Sequence, residues 1–432
     1  MASLPRVMVP IATDGSLAPV DIVKSADGLL DVVFLINSEE PESVSLEPVA
    51  SSLAPTESVS FSDLDACRRA MKTCGAGSAQ TFVDRYCRLA ALLNARGTED
   101  ETTWGRKDVQ RQLYRQAGIS RTRSLRLRSA EDLLGFIGAE GLPVVVKPVD
   151  GVASRELWIL RSQDDVQELL RSRSGPEYFS GMFAETFISG KAPHASYLGD
   201  YHSAEIFRDG LGRPFTAVLS DRIAPRRPAT REAGVIFPTH LDDIEAAALL
   251  QTALAAIDAL GERQGAFHVE VKQSVPQSDV IEVNGRLGGF VHRLVLAGTG
   301  VDVGRVALLA GLGRAEYVRL DWRRCVAVLM YQPPIEAAYV ESGPGRRELM
   351  DLPGVFSVDR LSGAGVSVDG RGGNGGAVAR VWLAADDHDM LHSRICRVVE
   401  TLDERFVLVD RHGRRVCDNT WTEQISRKKH EE

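Results

Sequence analysis

Lysine is scarce in this chain while arginine is abundant. Among 432 residues only Lys24, Lys72, Lys107, Lys147, Lys191, Lys272, Lys428 and Lys429 are lysine. A lysine in an apolar setting therefore stands out. Cysteine is also sparse: Cys67, Cys74, Cys87, Cys325, Cys396 and Cys417 are scattered, with no Cys-x-x-Cys pair. That argues against a disulfide framework or a zinc ribbon. No stretch reaches the ~18 consecutive apolar residues of a membrane-spanning helix. Residues 1–6 lack the basic-then-apolar order of a secretory signal, so the cytoplasm is the expected compartment. There is no basic excess either. The net charge is −8 and the pI near 5.7, which gives no broad surface for nucleic acid or anionic membrane. A Ser/His/Asp or Cys/His signature of nucleophilic catalysis is likewise missing.

What is present is an ordinary globular composition, 44% hydrophobic and 25% charged, in a chain long enough for about two to four domains. Residues 7–10 and 30–36 are short, β-branched-rich runs and read as strands. Residues 37–66 read as connections around a strand near 58–61. Phe82, Tyr86, Leu89, Leu92 and Leu93 fall at helical spacing within 80–94. Residues 1–100 are thus expected to form an N-terminal α/β domain. Further helices are expected at 105–118, from a Ser129 cap, at 164–171, 241–260, 300–311 and 386–402. Strands are expected at 143–148, 157–160, 183–188, 267–272, 280–284, 325–330, 355–361 and 378–383. The glycines at 363–376 read as hairpin turns. The expected division is a central domain at 101–312, a C-terminal α+β domain at 313–417, and a loose polar tail at 418–432.

The chemistry concentrates in two strands. Alternate strand residues share a face, so Glu282 and Asn284 point the same way. A hairpin folded about Pro276 sets Glu270 opposite Glu282. Two opposed carboxylates repel, unless a divalent cation lies between them. With the Asn284 side-chain carbonyl they make a hard oxygen set suited to Mg²⁺. The plainer alternative is a pair of solvated strand residues matched to Lys272 or Arg286. Arg286 extends the same face and is a natural clamp for a phosphoryl group. Lys147 ends a run of three valines, where an ammonium is costly to bury unless it meets an anion; a snorkelling lysine is the alternative. The loop from Val149 to Arg155, with Ser154, could cover phosphates with backbone N–H groups.

The order Lys107, Val144-Val145-Val146-Lys147-Pro148, a Ser-containing loop, Ala184-Glu185-Thr186-Phe187-Ile188, Glu270 and Glu282-x-Asn284-x-Arg286 resembles the ATP-grasp superfamily. It is most similar to the branch of bacterial L-amino-acid ligases, over roughly residues 100–310; Asp302 and the glycines before it resemble that branch too. The resemblance implies an α/β fold with a two-lobed ATP-binding domain, its smaller lobe at about residues 125–185, and ATP-dependent ligation of a carboxylate to an amine through an acyl phosphate. It implies ATP and Mg²⁺ (or Mn²⁺) as cofactors, and amino-acid or peptide-like partners. By analogy alone it implies a homodimer. Lys107, Lys147 and Ser154 would meet the phosphates. Glu185, Thr186, Phe187 and Ile188 would form the hinge at the adenine. Glu270, Glu282 and Asn284 would hold the metal, and Arg286 would steady the acyl phosphate. Gly288, Gly289 and Phe290 would bound the substrate pocket.

Two departures from the family pattern stand out. The phosphate loop carries few glycines. Where relatives place a ribose-binding Glu, this chain has His194 and Ser196. His240 and His292 are further substrate-site candidates, and His268 a supporting one, each against a plain structural reading. Arg222, Arg226, Arg227 and Arg231 read as an exposed loop that could also bind an anion. A carboxylase-like or purine-biosynthetic relative, or a nucleotide binder without catalysis, remain alternatives; Arg286 argues against the last.

Overall fold

The computed structural model describes residues 4–94, 103–151, 156–173, 175–225, 231–274, 277–369, 374–416, 421, 422 and 425. Ser154, Arg226 and Arg227 fall outside these residues.

The N-terminal unit is a four-stranded parallel sheet. Its order is Thr56–Val59, Asp31–Asn37, Arg6–Pro10, Ser78–Ala79. Val7, Val9, Phe34 and Ile36 are all fully buried. Continuous apolar runs are what a parallel strand covered on both faces requires. The helix expected from residue 80 begins only at Cys87 and ends at Leu93, after a 3-10 turn at Asp84–Tyr86. The sheet overrides the helical spacing there: Gln80 N–H donates to the Met8 carbonyl, and Thr81 Oγ1 donates to the Pro10 carbonyl.

The small lobe is an antiparallel sheet ordered Ser124–Arg126, Met182–Thr186, Val144–Pro148, Trp158–Leu160. It is backed by Ala130–Glu140, capped by Ser129, and by Gln163–Ser172, which opens with a Ser162/Asp165 capping box.

The large sheet has eight strands, ordered Asp279–Asn284, Gly265–Lys272, Leu198–Arg208, Pro214–Ile223, Gly234–Phe237, Cys325–Tyr331, Ala379–Ala385, Val355–Leu361. Phe267, Val269 and Val271 turn one face toward the helix Asp243–Ala259, while His268 and Glu270 point to the other. Three strands of this sheet were not anticipated: the long hairpin Leu198–Arg208/Pro214–Ile223, and Gly234–Phe237. Arg222 belongs to that hairpin and is buried, so it is not part of an exposed loop; Arg231 is buried as well. Beyond residue 313, three strands continue the large sheet across the pairing of Gly234–Phe237 with Cys325–Tyr331. The sequence-based boundary at 312 is therefore no break in the sheet.

The C-terminal residues are not uniformly loose. Trp421 and Ile425 are fully buried against the C-terminal core, and Trp421 Nε1 donates to the Ala224 carbonyl at 3.3 Å. Two aromatic and aliphatic anchors outweigh the polar character of their neighbours. Among the described residues no helix is long and apolar enough to cross a membrane.

Candidate active site

The strand pair is in the register that the sequence suggests: Glu270 lies opposite Glu282, and His268 opposite Asn284. Neither carboxylate pairs with Lys272 or Arg286. Lys272 goes to Asp200 at 2.8 Å, and Arg286 to Asp84 at 3.3 Å. Instead Lys107, the first residue of the helix Lys107–Gln116, bonds Glu282. Asn284 Nδ2 donates to the other Glu282 oxygen at 3.0 Å. Glu270 Oε1 lies 3.3 Å from an Arg222 nitrogen and 3.6 Å from His268 Nε2. Burial pushes the Glu282 carboxyl up, but Lys107 and Lys147 outweigh it and hold the group well below the usual range. Burial also opposes the Lys107 ammonium; Glu282 and Asp84 outweigh that and raise its pKa.

Lys147 is buried and does meet an anion, Glu185, at 2.6 Å. Burial pulls its ammonium down, and the cations Arg111 and Lys107 add to that against the pull of Glu185. Glu185 itself is lowered, because Arg111 and Lys147 outweigh its burial.

Behind the carboxylates sits a further tier. His268 Nδ1 lies 2.6 Å from Glu205, whose second oxygen accepts the Gly288 N–H at 2.8 Å. Burial disfavours the imidazolium, yet Glu205 outweighs it and the His268 pKa is pushed up to about 9. Gly288 has no room for a side chain: a Cβ there would stand 2.5 Å from Glu205 and 2.6 Å from His268, whereas one on Gly289 would meet nothing within 4 Å. Phe290 follows with φ +69°, the left-handed region, and opens the helix Val291–Thr299. A non-glycine residue there is a strained position of the kind found at functional sites.

The candidate hinge residues lie at and just past the end of the strand Met182–Thr186. Thr186 N–H and Phe187 N–H donate to the carbonyls of Arg123 and Pro143. The Phe187 ring lies 4.5 Å from Lys272 Nζ, and Ile188 is half-buried. His194 is 2.9 Å from Glu245 at the start of the helix Asp243–Ala259.

Two candidates do not join the cluster. His240 bonds Asp221 through both its backbone N–H and Nδ1, and reaches Tyr197 through Nε2 at 3.0 Å. Asp221 pairs in register with His202, one residue from Ser203, which lies opposite Glu270. Side chains alternate along a strand, so the Asp221–His240 group faces away from the carboxylates. His292 is buried within its helix, and its Nδ1 accepts the Gly304 N–H at 3.2 Å; it ties two helices together.

Sequence reasoning missed Arg111, which bonds Glu185, Glu232, which bonds Arg222, and Glu205 and Asp84. Glu205 had a faint signal, since Tyr201, Ser203 and Glu205 alternate along one strand face. Asp84 had none; it arrives from the N-terminal unit. A cavity of about 70 Å³ flanks Arg286 between that unit and the large sheet, lined by Thr81, Phe82, Cys87, Trp104 and Gly285.

Among the described residues no group of three or more His, Cys, Asp or Glu could hold a metal. Mg²⁺ does not require one. It binds through one or two carboxylates and completes its shell with water and phosphate oxygens, so Glu270, Glu282 and the Asn284 amide oxygen fit it.

Residues 140–293 of this chain match the ATP-grasp domain model. The solved L-amino acid ligase from Bacillus licheniformis superposes over 97% of this chain and 100% of its own, with a TM-score of 0.71 at 19% identity. In sequence, the chain is 26% identical to the alanine–anticapsin ligase of Bacillus subtilis over 228 residues, 49% of this chain and 48% of that one. It is 32% identical to human carnosine synthase 1 over 116 residues, 27% of this chain and 14% of the relative. The chain thus spans half or less of the length of these curated relatives.

Proposed function

We propose that this chain is an ATP-dependent carboxylate–amine ligase that forms a peptide or amide bond through an acyl phosphate. The observation that carries the reading is the register pair Glu270/Glu282, with Asn284 at the end of the same strand, Arg286 two residues beyond it, and Lys107 and Lys147 converging from the helix and the small lobe. The names of its relatives (an L-amino acid ligase, an alanine–anticapsin ligase, a carnosine synthase) support amino-acid or peptide-like substrates.

In this reading Lys107 and Lys147 take the nucleotide phosphates. Glu270, Glu282 and Asn284 hold Mg²⁺, which supplies charge neutralisation when bound. Thr186 and Phe187 have their N–H groups committed, so an adenine edge docks on hinge carbonyls and on backbone from Ile188 onward. A substrate carboxylate oxygen attacks the γ-phosphorus and ADP leaves. The amine nitrogen then attacks the acyl carbon, the amide forms, and phosphate and a proton depart. Arg286 sits where charge grows on the acyl phosphate, and fixed cations act most strongly in such a site.

The test is ADP release with ATP and Mg²⁺ against pooled amino acids and other amines, in wild type, Glu282→Ala and Arg286→Ala. Release that needs a carboxylate and an amine together, and is lost in both variants, is expected. Release stimulated by bicarbonate instead would move the chain to the carboxylating ATP-grasp enzymes.

A further inference from the structure

Arg111 follows Lys107 by one helical turn and is 2% exposed. Its Nε donates to Glu185 at 2.9 Å. One terminal nitrogen donates to the Val280 carbonyl at 2.6 Å and to Ser120 Oγ at 3.2 Å, and the other to the Ile281 carbonyl at 2.9 Å. One guanidinium therefore joins the small-lobe strand Met182–Thr186 to the two residues just before Glu282. A planar fork of five donors suits this task, and an ammonium does not.

Glu185 thus has two cationic partners of different kinds. Arg111 is anchored by three further acceptors. Lys147 ends its strand beside the loop that follows Pro148, and its ammonium is already disfavoured by burial and by Arg111. Were Lys147 the sole partner of Glu185, its departure to a phosphate would leave a buried carboxylate uncompensated.

We propose that Arg111 is a positioning residue of the nucleotide site: it is the fixed counter-ion of Glu185 and ties the strand of Glu282 to the small lobe, which leaves Lys147 able to move from Glu185 to a nucleotide phosphate. The inference rests on the nucleotide-binding part of the function proposed above and needs neither the acyl donor nor the amine.

The test is calorimetric titration of the full chain with Mg·ADP, which requires no turnover. Lys147→Met is expected to weaken binding by about tenfold or more, the scale of a lost charge-assisted bond. Arg111→Met is expected to do the same, because Lys147 is then held by Glu185. Adding Glu185→Gln to Arg111→Met should restore affinity to within about threefold of wild type. Glu185→Gln alone, which keeps the backbone through which the hinge would meet adenine, should bind as tightly as wild type or tighter, and Arg111→Lys, which keeps the counter-charge but loses the fork, should weaken binding less than Arg111→Met does. Glu185→Gln alone keeps the question open to refutation if Arg111→Met does not fold. The proposal is overturned if Arg111→Met binds like wild type, if Glu185→Gln fails to rescue it, or if Glu185→Gln alone weakens binding. An unchanged affinity in Lys147→Met would overturn the nucleotide reading itself, and this inference with it.

Discussion

Gly288 offers a test of the site's architecture that needs no substrate. A methyl at this position would stand 2.5 Å from a Glu205 oxygen and 2.6 Å from His268 Nδ1. Both neighbours are buried and bonded to each other at 2.6 Å, so neither has a flexible end to swing away. Overpacking of this kind costs about 1–3 kcal/mol. Shifting the loop also stretches the Gly288 N–H bond to the Glu205 carboxylate, which as a bond to a charged acceptor contributes about 1.5–3 kcal/mol. Together, Gly288→Ala should lose about 3–5 kcal/mol. At ~2.1 cal/mol/K per residue, 432 residues unfold with about 0.9 kcal/mol/K. The expected fall in Tm is therefore about 3–5 °C, read by differential scanning calorimetry. Gly289→Ala is the matched control, because a Cβ there meets nothing within 4 Å; its Tm should move by less than about 1 °C. If the two variants melt together, or Gly288→Ala melts with wild type, the packing of the loop on the Glu205–His268 pair is refuted.

Three further perturbations follow from the same geometry. The folded His268 pKa of about 9 lies above the ordinary value of ~6.5, so its stabilisation is fully present below about pH 6.5 and is lost as pH rises through about 9. In EDTA, Tm should decline from pH 7 to pH 10, and His268→Gln should flatten that slope; an equal slope in the variant refutes the assignment. Glu282→Gln should raise the Mg²⁺ concentration needed for tight nucleotide binding by at least about tenfold, as expected for loss of a charged ligand, and an unchanged Mg²⁺ titration would remove Glu282 from the metal set. Trp421→Ala should lose about 3–5 kcal/mol, the usual effect of emptying a fully buried aromatic site; an unchanged melting curve would mean the C-terminal anchor contributes nothing.

Where local pattern and tertiary context agree, the sequence was readable. The valine run at Val144–Pro148, the alternation in Gly265–Lys272 and the cap at Ser129 each sit where their residue types alone place them. The unread elements are those in which polar residues occupy buried strand positions. Leu198–Arg208 holds His202, Ser203, Glu205 and Arg208, all buried. A period-2 pattern built on hydrophobicity does not register such a strand, because both of its faces carry charge or hydroxyls. Residues 80–86 failed for the opposite reason: their apolar spacing is helical, but backbone bonds to the parallel sheet claim them first.

The candidate site was half legible on similar grounds. Metal and phosphate candidates announce themselves by type and spacing, but their counter-ions lie far along the chain: Glu282 is 175 residues from Lys107, Asp84 is 202 from Arg286, and Glu185 is 74 from Arg111. Lys107, Arg111, Lys147, Arg222, Arg286 and the protonated His268 face Asp84, Glu185, Glu205, Glu232, Glu270 and Glu282 in a nearly balanced set. Buried ion pairs of this kind add little net stability, because desolvation offsets most of their attraction. Folding energetics alone therefore give no reason to gather so many in one place. Under the proposed function a polyanion arriving with a divalent cation does: Lys107 and Lys147 would exchange Glu282 and Glu185 for phosphates, Glu282 would take the metal, and Glu185 would keep Arg111. On that proposal the network is a set of stand-in partners that would keep every charge compensated until the nucleotide arrives, and the residues that do not exchange, Arg111 and Glu205 foremost, would hold the others in place while it does.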